Sequence, residues 1–441
     1  MEDYDNKKAF SDFLPGVAGI FGKPMWSFYV NRGQGIASFG VESKNFPLMK
    51  FDSANLAYQN TPFVGFRTFI QGSRDGENFL TEPFSAANAK DGYDDEDKPS
   101  RFMYVGLADM EIQEIDDVNG VETKATYFVL PEENFGAFVR KATFTNIGDT
   151  PLTLSLLDGL AKMEPKGGPL NDMLNNIGRT LEGWFEVDHF EGNQAYPIYK
   201  LSSEPSDSAS VTIEEGGNFV ISVLEGDSAK FLPIVFDPTK VFGQGSSLVS
   251  PRELTVKSIG DILNAPQYGF ATTSCAFTAL DEVTLAAGES ISFTTYFGSV
   301  AKVDQVAAII DTIKAEGYAQ EKLDRTRQIM DELSSGVTTE TGSHLFNGHV
   351  KQMYIDNGLR GGIPLILGDV DETTLGKSTD EDSRVKVFHT FSRIHGDLER
   401  DYNWFNIDQT YFSQVCTTQH SFFVLTLILF NALRCTETSF G

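Results

Sequence analysis

The chain has 441 residues, 41% of them hydrophobic and 22% charged, which suits two or three domains with sizeable cores and excludes wholesale disorder. Lys and Arg number 35 against 62 Asp and Glu, for a net charge of −27. Such a surface repels phosphate backbones and anionic lipid, so nucleic acid and membranes are excluded as natural partners, while a neutral substrate fits.

In chain order, the N-terminus Met1-Glu2-Asp3-Tyr4-Asp5 is acidic and lacks the basic and apolar regions of a secretory signal. From about residue 15 to 300 the dominant pattern is period two, broken by frequent turn residues. Trp26, Phe28 and Tyr29 share one predicted strand and read as core, although such rings also stack on sugars. Asn31-Arg32-Gly33-Gln34-Gly35 follows. It holds a Gly-x-Gly, but no third Gly and no βαβ unit surround it, so it fails as a nucleotide loop. It reads as a turn at a sheet rim, and Asn31, Arg32 and Gln34 are its candidate ligand contacts. Asp91 to Lys98 is acidic and predicts a solvated insertion.

Further along, Ala142 and Phe144, then Leu152, Leu154 and Leu156, alternate with polar residues across Asn146-Ile-Gly-Asp-Thr-Pro151, a predicted hairpin connection. Phe219, Ile221 and Val223 repeat the pattern, as do Val283 and Leu285, then Ile291, Phe293 and Thr295. Many short strands with 36 Phe to fill the space between them predict a large antiparallel β-sandwich. At about 302 the period changes. Val303, Val306, Ile310 and Ile313 line one face of a helix, Gly317 ends it, and a second helix runs from about Gln320 to Leu333 with Leu323, Met330 and Leu333 on one face. This pair predicts a helical connector. Beyond it the chain reads as loop-rich, with turns at Asp356-Asn357-Gly358 and Gly361-Gly362 and a second acidic insertion from Asp369 to Arg384.

The densest polar cluster runs from His389 to Trp404 and includes Arg393, His395, Asp397, Glu399, Arg400 and Asp401. Phe391, Leu398, Tyr402 and Trp404 are interleaved, so part of it is predicted to be buried, and buried charges must pair. Arg393 and Asp397 are spaced to do so on a helix. Two readings stay open: an ion-pair network at a domain entrance, and a polar sugar subsite. A metal site of His395 with Asp397 or His389 is disfavoured, because no second ligand pair stands at metal spacing. A hydrolytic pair of Asp397 with Glu399 or Asp401 is also weak, since sequence neighbours rarely reach across a glycosidic bond.

Several of these segments resemble a known family. Ser27 to Gly40, Ala57-Tyr-Gln59, Gly65 to Ile70, Val139 to Asn146, Leu157 to Lys162, Asp356 to Gly362 and Phe391 to Asn403 are similar to the N-terminal region of inverting β-glucan phosphorylases. These are relatives of cellobiose phosphorylase, and the β-1,3-glucan type is the nearest. The resemblance covers about residues 15 to 414. It implies a β-sandwich over 1–301, a helical linker over 302–350 and the entrance of a catalytic α/α toroid over 351–414. It also implies attack of inorganic phosphate, a co-substrate rather than a cofactor, on a β-linked glucan or oligosaccharide. The products would be α-glucose 1-phosphate and a shortened glucan, with a homodimer as the common assembly. Arg393, His395, Asp397, Arg400 and Asp401 are the candidate substrate contacts on that side.

After Gln414 the pattern departs from the family. Residues 415–441 carry two of the three cysteines, Cys416 and Cys435, and the apolar run Phe422 to Leu433, which at 12 residues is shorter than the roughly 20 a membrane span needs. This tail reads as a frameshift or translated intron. No residue matches the family's general acid, so the expectation is a truncated, unaided-inactive portion of a phosphorylase. A freestanding carbohydrate-binding or regulatory module is the alternative, with a glycoside hydrolase as a second. Three cysteines make no disulfide framework or metal knuckle, and a soluble, cytoplasmic protein without metal or cofactor is expected. If the polar cluster is a buried ion pair, Arg393→Ala and Asp397→Ala each strand a charge and lower the thermal midpoint. Unchanged melting in both would argue against it.

Overall fold

The computed structural model describes residues 1–19, 22–90, 95–188, 196–205, 209–226, 230–245, 247–335, 339–359, 362–367 and 386–391. Short runs of β-branched and aromatic residues become strands, and turn residues part them. The chain opens with β1 (Ser11–Leu14), β2 (Met25–Val30), β3 (Ile36–Val41) and β4 (Pro47–Met49), a four-stranded antiparallel sheet. Helix α1 (Ala54–Val64) leads into β5 (Phe66–Arg74) and β6 (Glu77–Thr81). Next come β7 (Ser100–Val105), β8 (Asp109–Asp116), β9 (Val121–Val129), β10 (Gly136–Asn146) and β11 (Leu152–Met163), and then α2 (Leu170–Ile177). Five shorter strands follow: β12 (Phe185–Asp188), β13 (Ile198–Leu201), β14 (Gly217–Leu224), β15 (Lys230–Leu232) and β16 (Ile234–Val235). Helices α3 (Thr239–Phe242) and α4 (Ile259–Asn264) precede the long β17 (Ser274–Leu285) and β18 (Ser290–Val300).

These strands make the predicted sandwich. One sheet has nine strands in the order β12-β13-β14-β18-β10-β9-β8-β7, with β15 also on β14; the other has five, β16-β17-β11-β5-β6. Every pairing is antiparallel. Their facing sides fill one core, where Phe66 of the smaller sheet meets Phe297 and Tyr127 of the larger at ring-centre distances of 5.2 and 5.3 Å. Phe39 of the four-stranded sheet stacks on Phe138 at 4.7 Å, so that sheet packs into the same core. Each such fully buried ring contributes on the order of 2 kcal/mol by leaving water.

The outer faces explain where period two fails. Strand β10 is buried on both faces through Arg140 and alternates only from Lys141 onward. Behind its first half lie α5 (Val306–Ile313) and α6 (Tyr318–Ser334), whose Val306, Ile309, Ile313, Tyr318 and Leu323 pack on Ala137, Val139, Phe219, Ile221 and Tyr296. The predicted connector helices therefore clad the large sheet as well as following it. Gly317, at φ +72°, makes the left-handed break between them, and Leu333 of the predicted apolar face is 41% exposed. On the smaller sheet, α3 and α4 cover Leu157, Ala161 and Phe277 in the same way. Cys275 is buried there as a free thiol, and burial pushes its pKa up.

One turn differs from expectation. Asn146–Pro151 is not a hairpin: β10 belongs to the nine-stranded sheet and β11 to the five-stranded one, so the segment crosses between layers. The β17–β18 connection makes the same crossing beside it. Asn146 ties the two together, its amide donating to Thr150 O at 2.9 Å and Leu285 O at 3.0 Å and accepting from Arg74 at 2.8 Å. Its backbone exchanges bonds with Gly288 and Glu289.

The chain divides at Ile329 into two compact units, and the second is described in part. It holds α7 (His344–Leu359) and the antiparallel pair β19 (Gly362–Leu367) and β20 (Lys386–Phe391), in which Pro364 faces His389. The predicted turn at Asp356-Asn357-Gly358 lies in the last turn of α7, where a helix end accepts glycine readily. The acidic insertion from Asp369 to Arg384 and the apolar tail lie outside the described residues, as does part of the Asp91 to Lys98 insertion. Asn146→Ala is expected to lower the unfolding free energy by about 2–4 kcal/mol in urea titration, because buried carbonyls and a guanidinium lose their partner. A loss under about 0.5 kcal/mol would show that the crossing does not depend on this side chain.

Candidate functional site

The turn between β2 and β3 shows how the Asn31–Gly35 segment is used. Gly33 and Gly35 sit at φ +52° and +83°, and a Cβ on Gly35 would stand 2.6 Å from Met110 Cε, so both positions need glycine. Asn31 is fully buried. Its amide donates to Tyr4 O at 2.8 Å and accepts from the Phe10 N–H at 2.9 Å, which anchors the N-terminal segment. Arg32 lies over the Tyr58 ring of α1 at 4.8 Å. Gln34 turns inward and donates to Thr68 Oγ1 at 2.8 Å.

Below Gln34 lies a buried polar network. Thr68 Oγ1 donates to Asp158 Oδ1 at 2.6 Å, and Arg140 grips the same carboxylate with both arms at 2.8 and 2.5 Å. Arg140 also donates to the Tyr127 hydroxyl. Both charges are fully buried. Burial alone pulls the Arg140 pKa down, and Asp158 and Tyr127 more than reverse it, so the guanidinium stays charged. Burial holds the Tyr127 hydroxyl protonated, well above its ordinary range. Gln34, Thr68, Arg140 and Asp158 come from four of the separate segments on which the family resemblance rests. The fold brings them together, but in the core rather than at a surface. Trp26, Phe28 and Tyr29 are core-directed too: Phe28 and Tyr29 are buried, and the Trp26 indole donates to Ser43 O at 2.9 Å.

Three of these segments also line a pocket. This pocket, of about 200 Å³, opens where α1 lies against the end of β11, over an apolar floor that includes Ala37, Ala57 and Val64. Its polar wall is Lys50, Asp52, Asn60, Lys162 and Glu164. Lys162 Nζ stands 3.0 Å from Glu164 Oε1, and that carboxylate holds the ammonium above its ordinary range. Sequence reasoning passed over these residues. The available signal was Lys162-Met163-Glu164, opposite charges two apart closing a long apolar strand.

Arg393, His395, Asp397, Arg400 and Asp401 lie outside the described residues, as do Cys416 and Cys435; His389 is placed only by its strand pairing. Among the described residues, no group of three His, Cys, Asp or Glu side chains could hold a metal ion, and no helix is long and apolar enough to cross a membrane.

No protein family matches the chain, and no curated protein sequence does. Among solved structures, a polysaccharide lyase aligns at TM-score 0.35 and 11% identity over 64% of this chain, which spans 33% of the lyase. A galactose mutarotase-like protein from Clostridium acetobutylicum aligns at TM-score 0.32 and 9% identity, over 67% of this chain and 99% of its own. A bacterial glucoamylase complexed with acarbose gives TM-score 0.36 and 8% identity, over 80% and 44%.

For the buried network, Asp158→Ala is expected to cost about 3–5 kcal/mol in chemical unfolding, and Arg140→Met with Asp158→Leu to recover a large part of that. Equal losses would mean the cost comes from packing rather than from a stranded guanidinium.

Proposed function

We propose that this chain is the sandwich-bearing portion of a carbohydrate-active protein of the glycoside phosphorylase type. Its role in that setting is to bind a β-linked glucan or oligosaccharide whose phosphorolysis releases α-glucose 1-phosphate. One observation carries the reading. The segments between Ser27 and Lys162 that resemble β-glucan phosphorylases are far apart in sequence, yet Gln34, Thr68, Arg140 and Asp158 from them join one hydrogen-bonded network. Ala37, Ala57 and Lys162, from the same segments, line one polar pocket. Chance likeness in scattered segments gives no reason for such convergence. The segment partition of the family (sandwich to 301, helices to 350, toroid entrance to 414) is proposed with it, as is a homodimer.

Binding rather than turnover is the activity proposed for these 441 residues, because none of them matches the family's general acid. The full chain is titrated calorimetrically with laminaribiose, laminaritetraose and cellobiose, and glucose 1-phosphate is assayed after incubation with inorganic phosphate. Binding with Kd on the order of 1 mM or tighter, without glucose 1-phosphate, is expected. Heat-silent titrations with all three sugars, confirmed by unchanged amide NMR spectra, would overturn the carbohydrate reading. Phosphate-dependent glucose 1-phosphate release by this chain would overturn the restriction to binding.

A further inference from the structure

The pocket between α1 and β11 has a composition that selects a ligand. Glu164 is 1% exposed, and its Oε2 receives no hydrogen bond from any described residue. Lys162 reaches Oε1 at 3.0 Å, which leaves Oε2 without a donor among the described residues. A buried carboxylate oxygen without a donor is costly, so its environment is complete only when something supplies an O–H or N–H. The backbone around it is already committed: Glu164 N donates to Leu48 O at 2.8 Å and its carbonyl accepts from Asn218 at 2.9 Å. Asn60 on α1 reaches Asp52 at 3.5 Å, a long contact that keeps donor and acceptor capacity free on both.

Charge decides the class of ligand. Two carboxylates, Asp52 and Glu164, face two ammonium groups, Lys50 and Lys162, in the same pocket. An anion would meet both carboxylates, and a cation both lysines. A neutral polyol suffers neither repulsion, and its hydroxyls donate to carboxylates and accept from ammonium and amide groups in the alternation this wall offers. The apolar floor of Ala37, Ala57 and Val64 suits the C–H face of a pyranose ring, and about 200 Å³ suits a single sugar unit rather than a chain.

We propose that this pocket is a subsite for one neutral sugar unit, with the Glu164 and Asp52 carboxylates accepting its hydroxyls and Lys50, Lys162 and Asn60 donating to them. The proposal rests on the carbohydrate reading above and assigns it a place on the sandwich.

The full chain is titrated with D-glucose and laminaribiose, followed by calorimetry and by acetic anhydride labelling of lysines read by mass spectrometry. The expected result is that sugar slows acetylation of Lys50 and Lys162 at least about threefold while Lys314, exposed just after α5, is unaffected. Glu164→Gln and Asp52→Asn are each expected to raise Kd at least about tenfold. Asp52 is only half-buried, so its variant keeps the test decisive if Glu164→Gln melts early. Sugar binding with unchanged Kd in Asp52→Asn and no protection of Lys162 would overturn the subsite and leave the carbohydrate reading standing. Absence of sugar binding by the parent chain would overturn both.

Discussion

The salt bridge between Arg140 and Asp158 is the constraint around which the sandwich is arranged. It joins β10 of one large sheet to β11 of the other, and through Thr68 and Gln34 it extends to β5 and to the β2–β3 turn of the four-stranded sheet. Three sheets thus share one hydrogen-bonded centre. Charges this deep are tolerated only when both partners are present and their remaining donors and acceptors are occupied. Arg140 meets that condition with Tyr127, and its guanidinium also lies 5.1 Å from the Phe66 and Tyr127 ring centres. The pair also specifies register. A slip of one residue in β10 would carry Arg140 to the outer face and strand Asp158 among Phe rings.

From that centre the layers grow outward in a definite order. The inner faces are filled by Phe39, Phe66, Phe138 and Phe297, and the outer faces are clad where helices reach them. Cladding is uneven along the same strand, which is why β10 is buried on both sides at one end and alternates at the other. The polar pocket belongs to such an edge. Strand β11 runs out beyond its cladding at Lys162, α1 lies alongside, and the space between is too polar to close and too small to admit another element. A polar recess arises there from the way a long strand ends beside a helix.

The structure also separates two kinds of sequence likeness. Residues in the segments that resemble the phosphorylases mostly serve the core: Asn31 and Gln34 spend their amides inside the fold, and Arg140, Asp158 and Asn146 hold layers together. Likeness of that kind reports on architecture. Lys162, Ala37 and Ala57 are members of the same segments that line the recess.

The sandwich, the change from strand to helix near 302 and the break at Gly317 were legible in the sequence, because burial on one face of a strand or helix writes a period of two or 3.6 into neighbouring residues. The crossing at Asn146–Pro151 was not, since a hairpin and a passage between layers use the same turn residues and differ only in which distant strand each arm joins. Nor was the fate of Asn31 and Gln34, two polar residues at a glycine turn that face inward because Tyr4, Phe10 and Thr68 meet them there. The Glu164 recess belongs with these. Its carboxylate and its lysine are local facts of the sequence, but its burial comes from β11, α1 and the β4 segment meeting in space. The sequence by itself determined the strand-rich stretch to about 300 and the two helices after it, but not α7, β19 and β20, which lie where the chain reads as loop-rich. Only the tertiary structure decided which polar groups were spent on one another and which kept no protein partner, because hydrogen bonds between residues far apart in the chain leave no periodic trace in it.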